Sequence, residues 1–258
     1  MNLPDIKIQL DNIDVIYHCA GEIRNEQLMR ALHIDATLRL LEMIPKKAKW
    51  VHLSSIGVYG ARDIGEVVEN THFNPIGEYE VTKARSEEVM KEYCVKNNIK
   101  YTILRPSNVF SVDMTNNALR HVLLALKYNV FFYMKNPSLV NMNYIHVDDV
   151  VDAMLITGRN SLADNEDYIL SDMISLREFI DALCSGLGRR QVKAYLPITK
   201  ILPLLSMLES WLFKRLVITP KIKALTGASC YASSKYCKVF NKKFSDMPEQ
   251  LMKFAQDS

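Results

Sequence analysis

The sequence predicts an α/β fold: parallel strands alternate with helices through the first half, and a smaller, α-rich region follows. Three observations carry that prediction. Short apolar runs at 14–20, 49–55 and 100–106 are separated by stretches with apolar residues at helical spacing. Strand–helix–strand–helix–strand at this spacing means βαβ units and a parallel sheet. Past residue 160 the alternation stops, although short strand-like runs persist.

Each element has a local reason. DVIYHCA (14–20) reads as a buried strand. NEQLMRALHIDATLRLLEMI (25–44) has a helical apolar period and stops at Pro45. KWVHLSS (49–55) is the next strand, and EYEVTKARSEEVMKEYCVKNN (78–98) is a helix with a charged outer face. KYTILRP (100–106) is a third strand, ended by proline. TNNALRHVLLALKYN (115–129) is helical, and NYIHV (143–147) is a short strand. DDVVDAMLITG (148–158) is a helix with Asp148 and Asp149 as N-cap and first-turn acid, closed by Gly158. Beyond it, DYIL and VKAY read as strands, and 198–218 reads as an amphipathic helix packing on its own domain.

Composition excludes several functions. The chain has 258 residues, 48% hydrophobic and 24% charged, with a net charge of +3. That is ordinary for a globular protein and too mildly basic for a nucleic-acid partner. The clusters Lys46–Lys47–Lys49 and Lys242–Lys243 read as solvated surface. Five cysteines (19, 94, 184, 230, 237) form no CxxC and no metal-ligand spacing, so no metal is expected. Scattered thiols, no signal-peptide pattern and no run of transmembrane length point to a cytoplasmic protein.

Parallel sheets carry sites at the carboxyl ends of their strands. Residues 19–21, 54–57 and 106–108 lie there. Ser55 closes the second strand, and Tyr79 and Lys83 sit at i and i+4 of the following helix. Moving a hydride on or off an alcohol carbon requires moving a proton on or off its oxygen. A tyrosine phenol can do so if a lysine one turn away pulls its pKa toward neutrality, while a serine hydroxyl holds the substrate oxygen. Tyr-x-x-x-Lys alone is a weak signal: with 12 Tyr and 20 Lys, chance supplies about one. A second copy, Tyr231/Lys235, lacks a strand-end serine and reads as that chance occurrence. Cys19 reads as a core residue, and His18 and His146 as hydrogen-bonded structural histidines.

VIYHCAG, VHLSSIGVYG, YEVTK, ILRPSNVF and YIHVDDVVDA resemble, in order and spacing, the motifs of the extended short-chain dehydrogenase/reductases. These include nucleotide-sugar epimerases and dehydratases, dihydroflavonol reductases and 3β-hydroxysteroid dehydrogenases. The resemblance covers about 10–160 and, more weakly, the closing segment PKIKALTGASCYASSKYCKVFNKKFSDMPEQL. It implies a Rossmann-like dinucleotide-binding region over 1–160, with 111–142 on the substrate side, and a substrate-binding cap over 161–258. By the same resemblance Ser55, Tyr79 and Lys83 are catalytic, and Tyr79 and Lys83 also face the cofactor. Cys19, Ala20, Gly21, His33, Ser54 and Pro106 lie along NAD or NADP, and Asn108 touches substrate or shapes a turn.

The implied activity is oxidation of a secondary alcohol, on a nucleotide sugar. Two alternatives stand: an oxidoreductase of the steroid or flavonoid type, and a chain without catalysis. Departures from the family pattern motivate both. No GxxGxxG cluster occurs among the nine glycines, so an N-terminally truncated sheet is expected. His33 stands where the family usually has Asn, and Met142 where UDP-galactose 4-epimerases have an Arg. The resemblance also implies a homodimer through helices 25–44 and 78–98.

Overall fold

A computed structural model of the chain describes residues 10, 12–60, 64–113, 117–195 and 228–258. Strand β1 (Val15–His18) leads into helix α1 (Glu26–Arg30), a π turn (Ala31–Asp35) and helix α2 (Ala36–Met43), which together form one helical stretch. Strand β2 (Lys49–Leu53), a 3-10 turn (Ile56–Tyr59) and strand β3 (Ile64–Val67) precede the long helix α3 (Glu78–Asn97). Next come β4 (Tyr101–Pro106), β5 (Asn108–Phe110), α4 (Asn117–Lys127), β6 (Asn141–His146) and α5 (Val147–Arg159). Then follow β7 (Glu166–Leu170), β8 (Asp172–Ser175), α6 (Leu176–Gly186), β9 (Ala228–Tyr231), α7 (Ser234–Phe240) and α8 (Met247–Asp257).

The main sheet runs β1-β2-β4-β7, parallel throughout, with Val15 beside Lys49, Trp50 beside Tyr101 and Thr102 beside Glu166. Helices cover both faces. Trp50 and Ile103 pack with Leu41, Met90 and Cys94 from α2 and α3. Val51 and Leu104 pack with Val150 and Met154 of α5 and Tyr236 of α7. Strands buried on both sides need apolar residues at every position, which is why KWVHL and YTILRP read as runs rather than alternations. A second core gathers Phe110, Leu123, Met142, Phe179, Leu183, Leu251 and Phe254 between α4, β6, α6 and α8.

One charged group lies deep in the first core. The Arg105 guanidinium on β4 donates from Nε to Glu87 Oε1 at 3.0 Å and from Nη2 to Oε2 at 2.7 Å. Its Nη1 meets Asp167 at 2.6 Å and the Tyr59 hydroxyl at 2.7 Å. The five donors of the fork are thus spread over α3, β7 and the turn after β2, and they tie those elements together.

Several local expectations change in three dimensions. The division at residue 160 does not coincide with the layers. β7 lies past it and completes the main sheet, and α7 helps to cover that sheet. VKAY (192–195) forms a single bridge among the described residues, Tyr195 with Tyr133, rather than a strand. Gly158 does not close α5, which ends at Arg159 with Asn160 as its cap. Its missing side chain makes room for Tyr17: a Cβ at Gly158 would stand 2.4 Å from the Tyr17 hydroxyl oxygen. The N-cap of α5 is His146, whose ring accepts from Asp148 N–H at 3.4 Å. Asp149 is a first-turn acid of α5, as expected, and it also accepts from the Ser245 N–H and hydroxyl at 3.0 and 3.1 Å. The 198–218 stretch lies outside the described residues.

Candidate active site

The carboxyl ends of β1, β2 and β4 place most of the expected residues together. The ladder carries past β2 through Ser54 N–H, which donates to Leu104 C=O at 2.8 Å. The chain then turns at Ser55, an extended residue whose Oγ caps the 3-10 turn by accepting from Gly57 N–H at 3.1 Å. Tyr79 and Lys83 occupy the first turns of α3. That helix starts at Gly77, with Glu80 Oε2 accepting from the N–H of Ile76 at 2.8 Å. The Ser55 hydroxyl acts on the Tyr79 phenol, favouring its charged form. Lys83 is buried, and its ammonium donates to Leu53 C=O at 3.0 Å. Lys83 thus reaches the last residue of β2, and Tyr79 lies with Ser55 just past it.

The electrostatics differ from the simple expectation. Burial holds the Tyr79 phenol above its ordinary value, opposed by the Ser55 hydroxyl, so the phenol is protonated at neutral pH. Burial brings the Lys83 ammonium down to about 8, opposed by the carboxylate of Glu87 one turn along the helix. Lys83 is thus poised to titrate just above neutrality.

His33 is brought in by the π turn. Its carbonyl accepts the hydroxyls of Thr37 at 2.7 Å and Ser86 at 2.5 Å. These side-chain bonds take up the acceptor that a five-residue turn frees from the regular helical ladder. The ring then faces the end of β1. Glu22 N–H donates to His33 Nε2 at 2.9 Å, so the proton sits on Nδ1, which donates to Thr82 Oγ1 at 2.8 Å. Thr82 passes its own hydroxyl proton to Glu78 C=O at 2.7 Å. A neutral His33 thereby pins the turn after β1 to the first turn of α3. Gly21 is needed there: a Cβ would lie 3.3 Å from both His33 Nε2 and Lys83 Nζ.

The remaining expected residues fall differently. Cys19 and Ala20 are exposed at the strand end, so Cys19 is not a core residue; its thiol faces Tyr17 C=O and Met154 Sδ at 3.8 and 4.0 Å. Pro106 ends β4 and is buried. The Asn108 amide donates to Asn143 C=O at 3.0 Å, tying β5 to β6. Lys235 of the second Tyr-x-x-x-Lys copy is engaged by Glu166 Oε2 and Asp167 C=O, each at 2.8 Å. Met142 is buried in the second core.

Among the described residues, three buried polar atoms at the ends of β1, β2 and β4 have no partner: His18 Nδ1, Ser54 Oγ and Ser107 Oγ. His18 is therefore not a hydrogen-bonded structural histidine; it stacks on Trp50 and His52 at 4.8 and 5.3 Å between ring centres. Orphaned polar atoms at adjacent strand ends are what a polar ligand laid across the edge would satisfy. Sequence reasoning missed Ser107 and Thr82. Ser107 follows β4 as Ser54 follows β2, which was the available signal.

The histidines give the site a pH dependence. Burial, with the nearby Lys83 charge, brings His18 and His33 down to about 4 and His52 well below its ordinary value. Unfolded histidine titrates near 6.5. Their neutral forms contribute full stability above that value, and the contribution is lost as pH falls toward about 4. Unfolding at pH 5 should therefore take up about three protons, one per histidine, costing about 1.4 kcal/mol of stability per proton and pH unit. Urea midpoints that stay level between pH 7 and pH 5 would contradict this.

Comparison with known proteins agrees with this architecture. A Methanocaldococcus jannaschii protein provisionally assigned as a UDP-glucose 4-epimerase is 35% identical over 115 residues, covering 41% of this chain and 38% of that protein. The uncharacterized UDP-glucose epimerase YtcB of Bacillus subtilis is 32% identical over 129 residues, covering 46% and 40%. These matches thus span about two fifths of each relative's length. The crystal structure of UDP-glucuronic acid 4-epimerase from Bacillus cereus with NAD superposes with a TM-score of 0.71. It covers 100% of this chain and 77% of that one at 20% identity, a likeness of fold. Residues 4–171, which hold the sheet, the π turn and the Ser–Tyr–Lys cluster, match the model of the NAD dependent epimerase/dehydratase family, and the chain belongs to that family.

Proposed function

We propose that this chain carries the catalytic half of a nucleotide-sugar epimerase-type site, acting on a secondary alcohol through Ser55, Tyr79 and Lys83. The observation that carries the reading is the placement of Lys83 at the last residue of β2 and of Tyr79 with Ser55 just past it, together with polar atoms at three strand ends that have no partner among the described residues. NAD or NADP, held along Ser54, Ser107 and His18, would supply hydride-transfer chemistry at the carbinol carbon. Ser54, Ser107 and His18 offer unsatisfied polar atoms to a dinucleotide and substrate, and Lys83 offers a cation.

The protein's part is the proton. In the oxidation direction the Tyr79 phenol first gives up its proton to solvent, and the resulting phenolate takes the alcohol O–H proton as the C–H bond gives up its hydride. In the reverse direction the phenol, protonated at neutral pH, donates to the carbonyl oxygen. Ser55 hydrogen-bonds that oxygen and orients it. The Ser55 hydroxyl favours the phenolate that must form transiently. The steroid or flavonoid reading loses the support of Met142, whose apolar character is accounted for by core packing. A cytoplasmic homodimer through α1–α2 and α3 belongs to the same proposal; exposed Leu28, Leu32 and Val81 on those helices are consistent with it.

The test is one preparation of the full chain titrated with NAD, NADH, NADP and NADPH, followed by melting temperature and light scattering. UDP-glucose, UDP-galactose and UDP-glucuronate are then supplied and the products separated. The reading expects saturable nucleotide binding and interconversion of a UDP-sugar at carbon 4. A folded chain that binds no nucleotide supports the non-catalytic alternative.

A further inference from the structure

Two helix ends meet on the side of the second core. α4 is left through Asn129 and α6 through Gly188, both left-handed, with φ of 55° and 62°. The two exits run side by side, with Tyr133 N–H donating to Ala194 C=O at 2.9 Å. Residues 128–130 are all exposed, and from 130 to 133 the chain alternates. Phe131 and Tyr133 turn into the core, whereas Tyr128, Val130 and Phe132 point outward and are 75%, 64% and 40% exposed. Three apolar side chains in a row at a loop tip are costly in water and call for a covering surface.

The charge beside that row is one-signed. An open cleft of about 440 Å³ lies between the exits, lined by Arg189, Arg190 and Lys193 with Asn129 and Phe131, and no acid among the described residues lines it. None of the three cations makes an ion pair among the described residues. Segments 127–135 and 187–195 contain five cations and no acid, so in a chain of net +3 the remainder is net −2. This excess outweighs the partial negative charges of the two helix ends.

We infer that this face docks on a bilayer bearing anionic phospholipid, with headgroup phosphates in the Arg189–Arg190–Lys193 cleft and the Tyr128–Val130–Phe132 row in the acyl boundary. Charge complementarity and the adjoining apolar row together select this occupant: an anionic solute would use the cleft and leave the row wet, and a neutral apolar partner would leave the cations unpaired. No helix among the described residues is long and apolar enough to cross a membrane. The inference is independent of the reaction proposed above.

The test is co-sedimentation of the full chain with phosphatidylcholine vesicles, with and without phosphatidylglycerol. Expected are binding only with phosphatidylglycerol, weakening as salt rises, and a loss of more than tenfold in both R189E/R190E/K193E and V130S/F132S. All five positions are exposed, and unchanged melting temperatures confirm folding. K96E on α3 serves as the control for bulk charge and should bind as the parent does. Equal binding to neutral vesicles, no binding to either kind, or binding kept by the triple variant overturns the inference. So does an equal loss in K96E. A melting shift with inorganic phosphate that the triple variant abolishes, without vesicle binding, would make the cleft a soluble-anion site and also overturn docking.

Discussion

Replacing Tyr79 with phenylalanine should lower turnover by about 10²- to 10⁴-fold, the usual worth of a positioned proton-transfer group. Nucleotide affinity should hardly change, because the ring remains and its edge contact with His33, 5.7 Å between ring centres, is kept. The lost hydroxyl leaves Ser55 Oγ with its Gly57 N–H, so the local turn should survive. Lys83 supplies a second reading of the same step. Its ammonium titrates near 8, so turnover carried by its charge should fall as pH rises through that value. Steady-state rates from pH 6 to 10, with nucleotide affinity measured separately, check both. A Tyr79→Phe protein that keeps more than a tenth of the parent rate would remove Tyr79 from the chemistry.

A Glu87→Leu substitution should produce the largest loss of stability. It leaves Arg105, fully enclosed between α3, β4 and β7, without its two-pronged carboxylate partner. Breaking a buried pair by removing one member costs about 3–5 kcal/mol, since the other charge stays desolvated. Asp167 still meets Nη1, which places the expected loss near about 3 kcal/mol. Pairing the change with Arg105→Met should recover much of it, because a neutral, well-packed side chain owes no desolvation cost. Urea denaturation of the parent, both single variants and the double variant gives the coupling directly. A loss under about 1 kcal/mol for Glu87→Leu would mean that Asp167 and Tyr59 already satisfy the guanidinium. Because Glu87 also supports the Lys83 charge, this variant should shift the alkaline limb of activity to lower pH.

The local part of this molecule could be read from its residues. The spacing of apolar runs located β1, β2 and β4, and the i, i+4 placement of Tyr79 and Lys83 located the face of α3 that meets the sheet. Both depend on 3.6-residue and two-residue periodicities, which a stretch of ten to twenty residues contains in full. The motifs around Ser55 and Gly21 were legible for the same reason: each belongs to one strand end.

What only the tertiary structure decided depends on groups far apart in the chain. Gly158 looked like a helix stop and proved to be space for Tyr17. His33 looked like a departure from the family pattern, and the π turn made it the strut between Glu22 and Thr82. Asp148 ceded the cap of α5 to His146, and Met142 went into a core built from α4, α6 and α8. The pKa directions at Tyr79, Lys83, His18 and His52 follow from burial, which periodicity alone does not assign. Sequence by itself determined which side chains share a local face. Packing between distant segments determined which of those faces lost their water, and loss of water sets the charge states on which the chemistry depends.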